Sequence, residues 1–243
     1  MIGDSEIFNR TQLLVGSDAM RRIADARVIV FGLGGVGSWA AECLVRTGVR
    51  RLTIVDSDRV APSNINRQMP ATTLTVGEEK TEAVSRRLRA INPGAEIEAL
   101  QMFYSADNAD SIDLNEYDYV IDAIDSLKDK ALLILRATQS SARLFSSMGA
   151  ALKMDPSRIK TARFWDVKGC PLARALRQRF KRDKTFPAKK FLCVYSDELL
   201  ENRGFTDETC DYKAGINGSL CHITAIFGMM LAGEIIKDIC RQD

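Results

Sequence analysis

The sequence predicts an α/β fold: a Rossmann-like, doubly wound, mostly parallel sheet with an added antiparallel extension in the C-terminal half. Two observations support this prediction. Strand-like apolar segments alternate with helical segments from residue 27 to residue 149, and the glycine-rich stretch GLGGVG follows the first of these strands. Strands that are separated by helices are joined by right-handed crossovers, so they lie parallel in one sheet.

The core elements follow in a regular order. An N-terminal helical segment, NRTQLLVGSDAMRRIADA, precedes the first strand. Strands are predicted at RVIVFG, RLTIVD, AEIEAL, YDYVIDAI and RLFSSMG. Helices are predicted at residues 35–47, 78–91, 105–113 and 127–141. The second helix has a capping-box pattern, because Thr75 is followed by Glu78 three residues later.

The pattern changes after Gly149. SRIKTARFWDV predicts a strand of an added sheet, and KKFLCVYS predicts a further strand. CPLARALRQRFKRD between them predicts a helix with Pro171 in its first turn, a position that proline favours. Residues 197–218 are polar and contain glycines, so they predict a long mobile crossover. A helix over residues 219–240 closes the chain.

Composition excludes several classes of protein. The chain of 243 residues is 46% hydrophobic and 27% charged, which is typical of a globular protein. The most apolar run, residues 223–233, is too short to cross a bilayer, so we expect a cytoplasmic protein without a membrane segment. The six cysteines form no CxxC pair and His222 is the single histidine. Neither a disulfide framework nor a zinc site is therefore predicted.

The glycine-rich stretch predicts a nucleotide site. Its glycines let the backbone approach a phosphate, and the helix that follows supplies free N–H groups. Asp56 ends the next strand 19 residues after the last glycine, where an acidic residue binds ribose hydroxyls in dinucleotide-binding folds. These features suit NAD and ATP equally. The glycines concerned are Gly32, Gly34, Gly35 and Gly37.

Polar and charged residues that follow Asp56 favour ATP. Asp58, Asn64 and Arg67 come directly after it, and Lys80 follows in TVGEEKTEAV. An NAD site needs no further cations, because its loop and helix end already satisfy the phosphates. A triphosphate carries about two more negative charges and needs cations where charge develops during phosphoryl or adenylyl transfer.

Two carboxylates extend the predicted site. In YDYVIDAIDS, Asp122 and Asp125 lie at the end of the strand, at the carboxyl edge of the sheet where ligands bind in such folds. A carboxylate there can hold Mg²⁺ among phosphates. Considered alone, Asp122 is interpreted as a helix cap, and Arg67 or Lys80 is interpreted as a solvated surface charge. Their occurrence together and in this order favours an ATP site.

This combination resembles the adenylyltransferases related to ubiquitin-activating enzymes, which include the thiamine and molybdopterin biosynthetic activators. The resemblance covers residues 8–150 and implies that a carboxylate attacks the α-phosphate of ATP, giving an acyl-adenylate and pyrophosphate. It implies that Arg10 reaches the neighbouring subunit's site, so a homodimer is expected. The implied contacts are ribose for Asp56, phosphates for Asn64, Arg67 and Lys80, and Mg²⁺ for Asp122.

Two classes of carboxylate substrate stay open. Enzymes that activate the C-terminus of a ubiquitin-like sulfur carrier usually have paired CxxC motifs in their second half, which this chain lacks. The segments DPSRIKTARFWDVKGCPLARALRQRFKR and FLCVYSDE resemble instead the tRNA threonylcarbamoyladenosine dehydratase branch. That branch implies a cyclisation in which ATP adenylates the threonyl carboxylate, the neighbouring ureido group attacks it, and AMP leaves. The nucleophile is intramolecular, so no covalent enzyme intermediate is needed.

The change of pattern after Gly149 divides the chain into an ATP-binding core with its N-terminal helical segment, residues 1–150, and residues 151–243, which comprise a basic RNA-binding extension, the mobile crossover and the closing helix. The two parts are expected to form one compact domain. Residues 158–190 contain 12 basic and two acidic residues, although the whole chain has a net charge of only +2. Such a local basic surface attracts a polyanion. We therefore expect the tRNA anticodon loop to bind there, with Phe164 and Trp165 stacking on an unpaired base. The expected phosphate contacts are Arg174, Arg177 and Arg182.

Three further hypotheses remain. Cys193 and Cys210 are candidate nucleophiles, although ordinary core or loop thiols are favoured. A protein that transfers or accepts sulfur is a possible partner. A nucleotide-dependent RNA-binding module without catalysis is disfavoured by the presence of Arg67, Lys80 and Asp122.

Overall fold

The structure is a computed structural model that describes residues 4–203 and 217–241. Its helices are α1 (Asp4–Ile7), α2 (Asn9–Asp25), α3 (Gly37–Thr47), α4 (Lys80–Ile91), α5 (Leu127–Gln139), α6 (Pro171–Arg182) and α7 (Cys221–Cys240). Its strands are β1 (Arg27–Phe31), β2 (Arg51–Asp56), β3 (Glu96–Gln101), β4 (Tyr119–Asp122), β5 (Arg143–Ser147), β6 (Ile159–Arg163) and β7 (Leu192–Ser196). All the predicted strands are present, with ends shifted by a few residues.

The strands form one sheet in the order β3-β2-β1-β4-β5-β7-β6. Each pairing in it is parallel except that of β6 with β7. The predicted antiparallel extension is confirmed, but the prediction of a separate added sheet is wrong. β7 pairs with β5 through Phe145 and Leu192, and its residues Cys193 and Val194 are buried, as an internal strand requires.

Helices cover both faces of the sheet, as the doubly wound prediction requires. Val28 and Val30 of β1 point into a core formed with α2, α3, α4 and α7. Ile29 and Phe31 point to the opposite face, into a core formed with α5 and α6. This alternation follows from the period of two in a strand. A strand that is buried on both faces needs a continuous apolar run, which is what the sequence VIVF provides.

The prediction of a helix over residues 105–113 is wrong. This segment contains only a short 3₁₀ turn, Ala109–Ser111. The Asn108 side chain accepts a hydrogen bond from the Ser105 N–H and donates one to the Phe103 carbonyl oxygen. Such local side-chain bonds compete with helical hydrogen bonds, so a polar segment of this kind forms turns.

The capping box predicted at Thr75 and Glu78 is also wrong. The α4 helix begins at Lys80, after Glu79. The Thr75 hydroxyl instead donates to the Pro70 carbonyl oxygen and accepts from the Thr72 N–H within a turn. The start of α4 is thus fixed by the preceding turn and not by a side-chain cap.

Two helices at the chain ends pack on the same face of the sheet. The α2 helix is kinked at Gly16, where φ is +82°, and it leaves Leu13 and Leu14 81% and 86% exposed. The apolar helix α7 packs against α3 and brings Thr224 next to Gly35. In the described part of the chain, no helix combines the length and apolar character that a membrane crossing requires. Most of the predicted crossover, residues 204–216, lies outside the described residues.

Candidate active site

The carboxyl ends of β1, β2 and β4 lie side by side. Phe31 at the end of β1 is in register with Val55 on one side and with Asp122 on the other. Because β2 and β3 extend the sheet in one direction from β1, and β4 and β5 in the other, this edge is a topological switch point. Ligands of open α/β sheets bind at such points.

The glycine loop lies at this edge, and two of its glycines are required by the backbone. Gly32 has φ +88°, and a Cβ there would lie 2.7 Å from the Ala123 carbonyl oxygen. A Cβ on Gly37 would lie 1.8 Å from the Gly32 carbonyl oxygen. At Gly34, in contrast, the nearest atom would be 3.9 Å away. The loop therefore folds tightly on itself and leaves open space at Gly34.

Asp56 connects the glycine loop to the turn after β2. One oxygen of its carboxylate, Oδ2, accepts a hydrogen bond from the Leu33 N–H at 2.6 Å. The other, Oδ1, accepts one from the Asp58 N–H at 2.8 Å. The acidic residue that the sequence assigned to a ribose is thus held against the loop, with its side chain half-buried.

Lys80 and Asp58 form an ion pair at the start of α4. The Lys80 Nζ lies 2.7 Å from the Asp58 Oδ2, and the Lys80 N–H donates to the Asp58 carbonyl oxygen at 3.0 Å. The lysine side chain is 6% exposed, whereas the aspartate side chain is 65% exposed. The sequence predicted both residues as site residues, and the structure brings them into contact.

Asn64 is the last residue of the 3₁₀ turn Pro62–Asn64, and Arg67 follows three residues later. The Arg67 guanidinium donates to the Ser63 carbonyl oxygen at 2.9 Å, and its own carbonyl oxygen accepts from the Trp39 Nε1 of α3 at 3.1 Å. The segment is thereby attached to the helix that follows the glycine loop.

The two carboxylates after β4 differ in environment. Asp122 is fully buried and its Oδ2 lies 2.8 Å from the Lys130 Nζ and 2.7 Å from the Ser146 Oγ. Its Oδ1 accepts from the Ile124 N–H at 3.2 Å. Asp125, three residues further on, is exposed. Of the two carboxylates predicted at this edge, only Asp125 faces solvent.

Sequence reasoning missed Lys130. It is 0% exposed in α5, and its ammonium bonds to Asp122 and to the Ile124 carbonyl oxygen. The available signal was a lysine next to the apolar run ALLIL of a predicted helix. Such a lysine is either at the helix surface or paired in the core, and sequence alone does not distinguish the two.

A second missed pair follows β5 and β7. The buried Lys153 donates through Nζ to the Glu198 carbonyl oxygen, and burial lowers the pKa of Lys153. The Glu198 carboxylate accepts from the Met154 and Asp155 N–H groups at 2.8 and 2.9 Å, and these bonds lower the pKa of Glu198. Leu152 beside them has φ +58°. The connections at this edge are thus fixed by buried polar contacts.

Arg10 is exposed on α2. Within residues 4–203 and 217–241 it forms no hydrogen bond or ion pair. The structure does not bring it to the glycine loop of its own chain through any described contact, so its predicted role across a subunit interface stays a prediction.

The three arginines predicted to bind RNA differ on α6. The Arg177 guanidinium donates to the Phe164 carbonyl oxygen at 3.1 Å and lies 5.9 Å from the centre of the Phe164 ring. Arg182 pairs with Asp183 at 2.8 Å. Arg174 is exposed and has no side-chain partner among the described residues. Arg177 thus has a structural contact, while Arg174 and Arg182 face solvent.

The stacking prediction for Phe164 is wrong, because its side chain is buried at 1% exposure among Phe180 and Phe191. Trp165 is 43% exposed and lies 6.3 Å, ring to ring, from Phe186. Because β6 is antiparallel and Arg163 pairs with Leu192, Trp165 follows β6 at the amino edge of the parallel strands. It therefore lies at the edge opposite to the glycine loop.

The candidate nucleophile Cys193 lies in β7 and is fully buried, and burial raises the pKa of its thiol. A buried thiol of this kind is protonated and unreactive. The other candidate, Cys210, lies outside the described residues.

Comparisons with known proteins identify the family of the chain. Residues 8–243 match the ThiF family. The chain is 35% identical to a tRNA threonylcarbamoyladenosine dehydratase of Haemophilus influenzae, over 93% of this chain and 90% of that protein. It is 32% identical to a Bacillus subtilis protein of the same name, over 96% and 94%. A crystal structure of the Escherichia coli tRNA N6-threonylcarbamoyladenosine dehydratase in complex with ATP superposes with a TM-score of 0.85, 34% identity and full coverage of both chains.

Proposed function

The chain belongs to the ThiF family, and we propose that it is an ATP-dependent dehydratase that cyclises the threonylcarbamoyl group of a modified tRNA adenosine. The observation that carries the proposal is similarity along more than nine-tenths of the chain, 93% and 96%, to proteins of that name. The fold of the extension, with β6 antiparallel at the sheet edge, is also that of the ATP-bound relative.

A sulfur-carrier adenylyltransferase is the second candidate. The chain is 38% identical to such a protein of Thermus thermophilus, but the match spans only 52% of this chain and 47% of that protein. The part of the chain that is shared across the family is proposed to carry out adenylation, and it does not determine which carboxylate substrate is adenylated. The partial extent of this match favours the dehydratase, and a sulfur-transfer partner stays a prediction.

In the proposed reaction, the threonyl carboxylate of the nucleoside attacks the α-phosphorus of ATP, and pyrophosphate leaves. The distal atom of the neighbouring ureido group then attacks the acyl carbon to close a five-membered ring, the ureido group loses a proton, and AMP is displaced. The ring closes by loss of one water overall. Both steps build negative charge on phosphate oxygens, which is where preorganised cations lower a barrier most.

Lys80 and Arg67 are proposed to supply those cations. The Lys80 ammonium is preorganised, because its stem is buried and Asp58 holds its end at 2.7 Å. Asp56 and the N–H groups at the start of α3 are proposed to bind the ribose and the phosphates, with Gly34 and Gly35 lining the loop. Asn64 orders the turn, since its Oδ1 accepts from the Ala61 N–H at 3.1 Å.

Mg²⁺ is proposed to accompany the triphosphate. Magnesium is usually bound by one or two carboxylates together with substrate phosphates, and the solvent-facing Asp125 fits this requirement. Asp122 has both oxygens engaged by protein groups, so it suits a supporting position better than a direct ligand. When bound, the cation would neutralise charge on the phosphates. Separate Asp122→Asn and Asp125→Asn variants, titrated with Mg²⁺, test which carboxylate sets the requirement.

The decisive experiment for the reaction is nucleoside analysis. The protein is incubated with ATP and tRNA that carries threonylcarbamoyladenosine. The tRNA is then digested, and the masses of its nucleosides are measured by mass spectrometry. We expect the modified nucleoside to lose one water with matching AMP release, only when ATP is present. If the nucleosides stay unchanged and AMP forms instead when a carrier protein is the substrate, the result would contradict the proposal and support the second candidate.

A homodimer is proposed, with Arg10 completing the partner's site. The support is that Leu13 and Leu14, near Arg10 on α2, are more than 80% exposed, so they can contribute to an apolar surface for a partner subunit. Mixing Arg10→Ala protomers with Lys80→Ala protomers is expected to restore activity at one of two sites in mixed dimers. A monomer by sedimentation at the assay concentration would exclude this arrangement.

The basic surface, residues 158–190, is proposed to bind the tRNA. Gly169 lies close to Asp197, directly after β7, so α6 begins at the same edge of the sheet as the glycine loop. Its exposed arginines can therefore follow an RNA backbone that leads to the ATP site. A cytoplasmic location is proposed as well, and the tRNA substrate and the free thiols at the described cysteines support it.

A further inference from the structure

A buried ammonium group lies beneath the glycine loop. Lys130 and its partner Asp122 are both 0% exposed, with 2.8 Å between the Lys130 Nζ and the Asp122 Oδ2. The same Nζ donates to the Ile124 carbonyl oxygen at 3.0 Å. One side chain of α5 therefore holds both the end of β4 and the turn that follows it.

This turn, residues 122–125, is in direct contact with the glycine loop. The Ala123 N–H donates to the Phe31 carbonyl oxygen at 2.9 Å. The Ala123 carbonyl oxygen lies only 2.7 Å from where a Cβ on Gly32 would be. A small displacement of the turn would therefore move Gly32 or open a gap beside it. The turn also ends at Asp125, the exposed carboxylate of the site.

Stability alone does not account for such a pair. The cost of removing two charges from water offsets most of their attraction, and apolar residues of similar volume are often equally stable or more so. What the pair adds is a defined geometry. The Ser146 hydroxyl and the Ile124 N–H bind the remaining positions of the Asp122 carboxylate, so the turn has one well-defined position.

We propose that Lys130 is a positioning residue that sets residues 122–125 against the glycine loop and thereby sets the affinity for the nucleotide. It touches no reacting atom and acts through Ile124 and Asp122. The inference rests on the proposed placement of ATP over the glycine loop.

The test is AMP binding, measured by calorimetry in EDTA. Without a metal ion, any role of Asp122 or Asp125 in holding Mg²⁺ is removed from the measurement. The variant D122N/K130M removes both buried charges and so leaves no unpaired charge in the core. The control is D238N/R143Q, which removes an ion pair between α7 and the start of β5 at the opposite edge.

We expect D122N/K130M to bind AMP at least tenfold more weakly than the wild type, with a melting temperature close to that of the control. Hydrogen exchange of the Gly32 and Ile124 amides is expected to be faster in it and unchanged in the control. Should it fail to fold, D122N/K130Q, which keeps a side-chain donor for the Ile124 carbonyl oxygen, is expected to show the same weakening to a smaller degree.

Folded variants that bind AMP within twofold of the wild type would overturn the role of Lys130. If Gly37→Ala leaves AMP binding unchanged, the proposed placement of the nucleotide is wrong, and this inference fails with it. The two failures are therefore distinguishable.

Discussion

The edge that carries the glycine loop and the surface that carries the basic residues use charge in opposite ways. At the glycine loop, Lys80, Asp56 and Asp122 are buried or half-buried, and each is held by short bonds. On α6, Arg174 and Arg182 are exposed, and Arg182 is paired with its neighbour Asp183. At the glycine loop we expect the exact position of each charged group to determine its effect. On the basic surface we expect the total charge to determine the effect.

This difference predicts different responses to salt. Solvent-exposed charges are screened over about 8–10 Å at physiological ionic strength, while buried groups are screened much less. Variants at the glycine loop are therefore expected to lose activity equally at all salt concentrations. Variants on the basic surface are expected to converge with the wild type as salt rises.

The largest effect is expected for Lys80→Ala. Losing one preorganised contact to developing charge costs about 100- to 1000-fold in rate, so AMP production is expected to fall by that factor at low and high salt alike. Steady-state AMP release measured over a salt series checks it. Lys80→Arg keeps the charge but not the geometry, and a near-complete rescue by it would show that position is unimportant here.

Gly37→Ala is expected to have the next largest effect. A Cβ would lie 1.8 Å from the Gly32 carbonyl oxygen, so the loop must open, at a cost of roughly 1–3 kcal/mol. We expect ATP binding by calorimetry to weaken correspondingly. Gly34→Ala is the matched control for stability, because the nearest protein atom to its Cβ would be 3.9 Å away and folding should be unaffected. Equal stability of the two variants would contradict the tight loop.

The basic surface provides a graded test. Arg174→Gln and Arg182→Gln are each expected to weaken tRNA binding moderately and to lower the log–log salt slope by roughly 0.7–0.9 for each lost phosphate contact. ATP affinity is expected to stay the same. Arg177→Gln is expected to lower the melting temperature instead, because that guanidinium binds the Phe164 carbonyl oxygen. Filter binding at several salt concentrations measures the slopes, and unchanged slopes in all three variants would place the RNA elsewhere.

The smallest effect is expected for Cys193→Ala. The thiol is fully buried and burial raises its pKa, so turnover is expected to be unchanged. The lost sulfur volume is expected to lower the free energy of unfolding by about 1–2 kcal/mol. Denaturant unfolding and nucleoside analysis measure the two quantities. A large loss of turnover at unchanged stability would mean that this thiol takes part in the reaction.

Sequence reasoning recovered the elements whose pattern is local. Local sequence patterns predict the apolar runs of β1 and β4, the glycine loop and the apolar positions of α6. In strands and helices this works because burial imposes periods of two and 3.6 on neighbouring side chains. The family, and the ATP-dependent tRNA-modifying activity it implies, were also predicted from motifs, and the comparisons confirm them. Residues 105–113 were mispredicted because short side-chain bonds outweighed an approximate helical period.

What the sequence by itself determined is therefore the order of strands and helices, the glycine loop and the family to which the chain belongs. Only the tertiary structure decided which carboxylate is buried and which is exposed, since Asp122 and Asp125 look alike in sequence and differ in their contact with Lys130. It also decided that β6 and β7 join the main sheet and that Phe164 is buried while Trp165 lies at the far edge. These outcomes depend on contacts between residues distant along the chain, and no local pattern specifies them.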